Sequence, residues 1–126
     1  MVLELYMVGL VTQDMNRSLE FYQRLGLAIP PNSAGKKHVG VKMESGVTFF
    51  LNATFINTSG HTAIADNSHV ILEFYLSNRA EVDAKHKELT GFGYQSSRAP
   101  AFEPSINVYF TLISDPEGHT IMLSAD

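Results

Sequence analysis

The segment SDPEGHTIML, Ser114–Leu123, carries a strong structural signal close to the end of the 126-residue sequence. Its Asp, Pro and Gly stand at the first, second and fourth positions of a tight turn, where each residue type is favoured. After the turn, Ile121 and Leu123 lie on one face of a predicted strand and Met122 lies on the other. The stretch therefore predicts a closing β-strand that is entered through a tight turn.

The composition is typical of a soluble globular domain, with 44% hydrophobic and 17% charged residues. A chain of this length forms one domain with a single core. The sequence has no cysteine, which excludes disulfides, thiolate nucleophiles and zinc sites built on Cys. This composition fits a reducing cytoplasm, and cytoplasmic location is the expectation.

Charge and hydropathy exclude two classes of partner. The net charge is −4, and the 9 Lys and Arg residues are scattered, whereas nucleic-acid binding rewards clustered positive charge. No apolar stretch approaches the roughly 20 residues that span a membrane. Met1–Leu5 lacks the basic start and long apolar run of a signal peptide. Neither a nucleic acid nor a membrane is expected as a partner.

The secondary-structure pattern occurs twice. In the first half, a helix from an Asp14 N-cap to a Gly26 stop follows one strand and precedes three more, predicted at Leu3–Val11, Leu27–Pro30, Lys37–Glu44 and Val47–Asn52. In the second half, a helix with an Asn78–Glu81 capping box ends at Gly91, with strands predicted at Val70–Leu76, Phe92–Ser96, Asn107–Ile113 and Thr120–Ser124. Both halves are predicted to be βαβββ.

The predicted fold class is α+β, with two βαβββ modules whose curved mixed sheets surround a cleft. Residues 1–126 form one domain, with module 1 at about 1–53, a Thr-, Ser- and Asn-rich linker at about 54–67, and module 2 at about 68–126. The Pro-containing segment Ser97–Ser105 is predicted to be an irregular loop at the rim of the cleft.

The chain resembles the vicinal oxygen chelate superfamily, which includes glyoxalase I, extradiol dioxygenases and bleomycin-resistance proteins. The resemblance rests on the doubled βαβββ order, on Val8–Asp14 leading into Ser18–Tyr22, on Leu25–Leu27, and on the closing Asp115–Gly118 strand entry. It implies the glyoxalase/bleomycin resistance fold. It does not imply one function, because this scaffold hosts many chemistries.

In metal-dependent members of that superfamily, four strands each carry one metal ligand. The first lies seven residues before the aspartate that opens the first helix, which here is Met7. Aligned in the same way, the other three positions fall on Phe50, Ile71 and Met122. Hard and borderline divalent ions need imidazole or oxygen donors, so we expect no metal and no other cofactor. The four side chains either belong to the core or line an apolar pocket for a ligand.

Three further residues are candidates for ligand contacts. Glu73 interrupts an apolar strand on the same face as Ile71 and Tyr75, where a carboxylate can anchor a ligand amine or hydroxyl, act as a general base, or form a salt bridge with Lys42 or Arg98. Tyr75 can present its ring to the cleft. Phe102 is predicted to cover the cleft mouth from the rim loop.

The favoured function is therefore metal-free binding of a small apolar or aromatic molecule, such as an antibiotic or an aromatic metabolite. Similarity to bleomycin-resistance proteins implies stoichiometric sequestration by a homodimer, without turnover. Two enzymatic alternatives remain open. One is acid–base catalysis by Glu73. The other is a divalent-metal lyase, isomerase or dioxygenase whose ligands come from His69, His38, Glu44 or Glu73. His86 is expected to be solvated.

Overall fold

A mixed β-sheet packed on one helix occurs twice in the computed structural model, which describes residues 1–53 and 70–126. The chain divides into two units, Met1–Ile64 and Ala65–Asp126. Helices and mixed sheets in both units confirm the predicted α+β class. The predicted linker at residues 54–67 lies outside the described residues.

Within residues 1–53, the first unit contains three strands and one helix: β1 at Met7–Val11, α1 at Met15–Leu25, β2 at His38–Lys42 and β3 at Thr48–Asn52. The strand order is β1-β3-β2, with β1 parallel and β2 antiparallel to β3. The predicted first strand began at Leu3, but Met1–Tyr6 lies outside the sheet and is exposed.

The ends of α1 follow the predicted capping signals. The Asp14 carboxylate accepts a hydrogen bond from the backbone N–H of Arg17 at 3.1 Å, which satisfies one of the free donors of the first turn. Gly26, at φ 125°, ends the helix in a conformation that side chains disfavour. Helical spacing then directs Leu19, Tyr22 and Leu25 into the core, where all three are buried.

The strand predicted at Leu27–Pro30 is wrong, so residues 1–53 have the order βαββ. In its place the backbone turns, with the N–H of Ile29 bonded to the carbonyl of Leu27 at 2.9 Å. The Ser33 hydroxyl donates to the carbonyl of Pro30 at 2.6 Å. Because Pro30 and Pro31 both lack a backbone N–H, this segment cannot supply a regular ladder of hydrogen bonds.

The second unit has the complete predicted βαβββ order: β4 at Ile71–Tyr75, α2 at Arg79–Gly91, β5 at Ser96–Glu103, β6 at Val108–Ser114 and β7 at Thr120–Ala125. The strand order is β4-β7-β6-β5, with β4 parallel to β7 and the other neighbours antiparallel. The capping box of α2 is confirmed, since Asn78 accepts from the N–H of Glu81, and Glu81 accepts from the N–H of Ser77.

The strand predicted at Phe92–Ser96 is wrong in its position, and most of the predicted rim loop is β5. The register between β5 and β6 shifts twice, between Ser96 and Arg98 and between Arg98 and Ala101. Such irregularities accommodate Pro100, which is also tolerated because β5 is an edge strand.

Helix α2 buries Val82 and Leu89 completely against its sheet. His86 also lies on this side, because its Nδ1 is 3.1 Å from the Thr111 hydroxyl of β6. The expected solvation of His86 is therefore wrong: its position on the helix, one turn from Val82 and Leu89, turns the ring toward the sheet.

Candidate functional site

Each sheet has one face that packs on its helix and one face that points the other way. In the first unit, the rings of Phe49 and Tyr22 meet at a centroid distance of 5.0 Å, so Phe49 points toward α1. Strand alternation directs Phe50 to the opposite face. We call this surface face 1; its members, by register, are Met7, Gly9, Val11, His38, Gly40, Lys42, Thr48, Phe50 and Asn52.

The Phe50 ring lies directly on the backbone of Gly9. A Cβ atom built on Gly9 would stand 2.1 Å from two carbon atoms of the ring, far inside van der Waals contact. The His38 ring packs against the Phe50 ring, with the two centroids 5.0 Å apart and an interplanar angle of 31°. Asn52 Nδ2 lies 2.9 Å from His38 Nδ1. Phe50 and His38 together form an aromatic platform held in place by the sheet.

In the second unit, two side chains of β6 show which face packs on α2. The Tyr109 hydroxyl donates to Asp83 of α2, and Thr111 contacts His86. Phe110 and Leu112 therefore lie on the opposite face. We call this surface face 2; its members, by register, are Ile71, Glu73, Tyr75, Arg98, Ala101, Glu103, Val108, Phe110, Leu112, Ser114, Thr120, Met122 and Ser124.

The polar groups of face 2 are Glu73, Ser124 and Arg98. Glu73 is exposed and accepts a hydrogen bond from the Ser124 hydroxyl at 2.7 Å. Arg98 stands over the Phe110 ring, with its Cζ 4.3 Å from the centroid, and it pairs with Glu103 at 3.7 Å. The salt bridge considered for Glu73 and Arg98 is thus replaced by two separate pairings. The contact of Glu73 with Ser124 leaves its carboxylate with unused acceptor capacity.

Most of the predicted ligand-contacting residues in the second unit share face 2, but Phe102 does not. Phe102 is the register partner of Tyr109, and the Arg79 guanidinium covers both rings at 5.3 Å and 4.9 Å. It therefore lies on the α2 side of the sheet, in a strand and not in a rim loop. Ile71 and Tyr75 are 57% and 64% exposed, whereas Met122 is buried at 8%.

Hydrogen bonds shift the pKa of three groups around the second sheet. A hydrogen bond to Asp126 raises the pKa of Tyr75, and a hydrogen bond to Asp83 raises the pKa of Tyr109. Hydrogen bonds from the hydroxyl and backbone N–H of Ser105, followed by the charge of Arg98, lower the pKa of Glu103. Tyr75 therefore stays a neutral donor beside face 2 over the neutral pH range.

The two units repeat the same register at the four positions aligned with metal ligands. Met7 is opposite Thr48, two residues before Phe50, and Ile71 is opposite Thr120, two residues before Met122. Each pair is thus a diagonal neighbour pair across two parallel strands. Ile71 thus has the same position relative to Met122 as Met7 has relative to Phe50.

The side chains at these positions do not fit a divalent metal ion. A thioether, a phenyl ring and an aliphatic side chain offer none of the oxygen or imidazole donors that such ions need. Among the described residues, no group of three or more His, Cys, Asp and Glu side chains could hold a metal ion. His38 is the first residue of β2 and Glu44 lies in the turn after its last residue, so the two side chains are at opposite ends of a strand about 13 Å long. His69 and His61 lie outside the described residues.

Gly9, Arg98 and Ser124 are site residues that the sequence did not assign to the candidate site. The signal for Ser124 is its alternation with Met122 along β7. Arg98 gives no such signal, because the irregular register of β5 hides its face. Gly9 becomes informative only once its contact with the Phe50 ring is known.

Each of the two units has a mixed sheet and a helix, which is the architecture of an α+β protein with an internal repeat. The sequence model of the Glyoxalase/Bleomycin resistance protein/Dioxygenase superfamily matches residues 5–123. The chain belongs to this superfamily. A search of curated proteins by sequence found no match.

Solved structures agree with this assignment at the level of the fold. A hypothetical protein, SA1046 from S. aureus, is 23% identical with a TM-score of 0.80, covering 100% of this chain and 95% of that one. A glyoxalase-related enzyme from Fulvimarina pelagi is 18% identical with a TM-score of 0.80, covering 99% and 89%. A lactoylglutathione lyase from Agrobacterium tumefaciens is 20% identical with a TM-score of 0.69, covering 97% and 92%. Identities this low establish the fold alone.

In the described part of the chain, neither helix is long and apolar enough to cross a membrane.

Proposed function

We propose that the protein binds a small, largely apolar or aromatic molecule without a metal ion, and that it sequesters this molecule without turnover. One observation carries the proposal. The positions aligned with the metal ligands of metal-dependent relatives hold Met7, Phe50, Ile71 and Met122, and the two units present them in the same register. Apolar side chains of this kind, including adaptable Met, suit an organic ligand.

Two features of the sheets support an aromatic ligand. The platform of Phe50 and His38 offers a flat surface on which a planar ring can stack. On face 2, the Phe110 ring and the exposed Tyr75 ring lie beside polar groups that can orient a ligand. The candidate contacts are thus Met7 and Phe50 in the first unit, with Ile71, Glu73, Tyr75 and Met122 in the second. The predicted ligand contact of Phe102 remains a prediction, and Phe102 lies on the other face of the second sheet from these residues.

The binding prediction is tested by thermal melting of the untagged protein, in EDTA, against antibiotics and aromatic metabolites. A ligand at about 100 times its Kd stabilises a protein by about 2.7 kcal/mol, which raises the Tm of a chain of this size by about 10 °C. We expect Phe50→Leu to reduce the shift, since it removes the platform. Phe92→Leu, the same change on a ring outside both faces, should retain it.

Two results would contradict this function. One is a Tm that stays unchanged for the whole panel at millimolar ligand. The other is stoichiometric Zn, Ni, Fe or Mn in elemental analysis of protein purified without chelator or affinity tag, which would favour the metal-dependent lyase, isomerase or dioxygenase. Acid–base catalysis by Glu73 would instead require turnover that Glu73→Gln abolishes in a folded protein.

We further propose that the protein is a cytoplasmic homodimer. The apolar side chains of Val2, Leu3, Leu5 and Tyr6 are each more than 70% exposed, and such a concentration of exposed apolar surface favours contact with a second copy. Size-exclusion chromatography with light scattering should give twice the 13.9 kDa chain mass. Leu5→Glu should shift the dimer toward the monomer. A wild-type monomer at 100 μM would contradict the prediction.

A further inference from the structure

Four residues of face 2 form one row across the whole second sheet. Glu73 is opposite Met122, Met122 is opposite Leu112, and Leu112 is opposite Arg98. Neighbouring strands are about 4.8 Å apart, so the outer two Cα atoms are separated by about 14 Å. The row has a carboxylate at one end, a guanidinium at the other, and two apolar side chains between them.

The guanidinium of Arg98 has donors that its neighbours do not use. Within the described residues, its Nε is a buried N–H without a hydrogen-bond partner. Its Nη1 is 3.7 Å from Glu103 Oε1, longer than a good hydrogen bond, and Glu103 is held through its other oxygen, Oε2, by the Ser105 hydroxyl at 2.8 Å and N–H at 3.2 Å. The side chain of Arg98 is 31% exposed, so an anion can reach its terminal nitrogens.

The position of Arg98 is fixed by the sheet. A register shift lies on each side of it, and its carbonyl accepts from the hydroxyls of Thr111 at 2.6 Å and Ser96 at 3.1 Å. Irregularities of this kind re-aim a side chain and recur next to binding sites. The contact with the Phe110 ring then holds the guanidinium on face 2. Such a preorganised fork matches a carboxylate or phosphate.

At the other end of the row, Glu73 is suited to a donor. Its Oε2 accepts from Ser124 at 2.7 Å, and a carboxylate has about four lone-pair sites. A ligand ammonium or hydroxyl can therefore bind without displacing Ser124. Between the ends, the half-buried side chain of Leu112 and the small exposed part of Met122, which is 8% exposed, supply apolar contact for the body of the ligand.

Resting on the proposed function, we propose that face 2 binds a bipolar molecule. The ligand has an anionic group at Arg98, an ammonium or hydroxyl group at Glu73, and a flat apolar body between them. The row thus specifies both the orientation of the ligand and the distance between its polar ends.

The test uses a rigid series built on biphenyl: the 4-carboxylate, the 4-methylammonium, the neutral 4-methanol, and the 4′-aminomethyl-4-carboxylate that carries both charges. Binding to the full chain is measured by calorimetry in 0.15 M NaCl, where distant charges are screened. We expect the bipolar compound to bind about 10-fold or more tightly than the neutral one, the range expected for hydrogen bonds to charged groups.

Two variants serve as controls for each other. Arg98→Met keeps an unbranched stem beside Phe110 and should weaken the carboxylates about 10-fold, but not the methylammonium compound. Glu73→Gln should weaken the ammonium compounds and spare the plain carboxylate. Arg98→Lys should restore part of the carboxylate affinity, because it restores the charge without the fork. Unchanged melting curves establish that each variant is folded.

The outcomes separate this inference from the proposed function. If all four compounds bind with equal affinity, the bipolar ligand is wrong and apolar binding stands. If Arg98→Met weakens all four compounds equally, Arg98 supports the sheet and does not bind an anion, so the inference is again wrong. If none of the compounds binds to the wild-type protein, the bipolar ligand is wrong, and so is the proposed binding of an aromatic molecule on which it rests.

Discussion

Replacing Asp115 with Ala is expected to lower the free energy of unfolding by about 3 kcal/mol, because it leaves several buried donors without a partner. The Asp115 side chain is fully buried. It accepts from the backbone N–H of Glu117 at 2.9 Å, from the backbone N–H of His119 at 2.8 Å, and lies 2.8 Å from His119 Nδ1. For a chain of this size, the loss corresponds to a fall in Tm of about 10 °C.

Asp115→Asn is the matched comparison. It retains one oxygen for the two backbone donors, and its amide can donate to the imidazole of His119 if the ring changes tautomer. We therefore expect it to lose less than half as much stability as Asp115→Ala. Urea unfolding followed by circular dichroism gives both values from the midpoints. An Asp115→Ala variant within 1 kcal/mol of the wild type would show that the turn is held by its backbone alone.

Asp115→Ala should also disturb face 2, because this turn leads directly into β7, which contributes residues to that face. The N–H of Gly118 bonds to the carbonyl of Asp115 at 3.0 Å, and the N–H of Asp115 bonds to the carbonyl of His119 at 2.9 Å. These contacts fix where β7 begins, and a one-residue slip would reverse the faces of Met122 and Ser124. The predicted turn is thus confirmed, and the strand that follows it, β7, is an interior strand of the sheet.

The parts of the fold that the sequence predicted correctly are those controlled by local signals. Asp14 and Asn78 cap the two helices as predicted, because a short polar side chain satisfies free N–H groups wherever the helix lies. Alternation along β4 correctly assigned Ile71, Glu73 and Tyr75 to one face. These inferences depend on residues that are close together in the chain.

The errors in strand position arose where the backbone is irregular. Pro100 suggested a loop, but an edge strand with an irregular register accepts it. The apolar run Leu27–Pro30 suggested a strand, but two consecutive prolines end it. Arg98 could not be assigned to face 2 from the sequence, and β5 was missed for the same reason. In an irregular strand, side chains do not alternate strictly between the two faces, so the sequence does not show which face a residue occupies.

Gly9 and Gly40 flank Phe50, and replacing each of them with Ala is expected to have different effects on stability. Gly9 and Gly40 are the neighbours of Phe50 on β1 and β2. A Cβ on Gly9 would stand 2.1 Å from the Phe50 ring, whereas one on Gly40 would meet Thr48 Cγ2 at an ordinary 3.8 Å. Gly9→Ala should therefore cost about 1–2 kcal/mol by overpacking. Gly40→Ala should be neutral or stabilising by up to about 1 kcal/mol.

The cost of Gly9→Ala should depend on Phe50, and a double-mutant cycle measures this dependence. In a Phe50→Ala background the ring is absent, so Gly9→Ala should lose its cost and gain the usual advantage of Ala over Gly in a strand. A sign change between the two backgrounds would establish the contact. An equal cost in both backgrounds would mean that Gly9 is required by its backbone and not by the ring.

The same substitution separates stability from binding. In Gly9→Ala the Phe50 ring must leave Gly9, and it then loses the 5.0 Å stack with His38. If this platform binds the ligand, affinity should fall about 10-fold or more, while Gly40→Ala should bind like the wild type. A Gly9→Ala protein that is destabilised yet binds normally would show that the platform serves the fold and that the ligand lies elsewhere. The absence of a side chain at Gly9 thus allows both the packing of Phe50 in the first sheet and the platform that is proposed to bind the ligand.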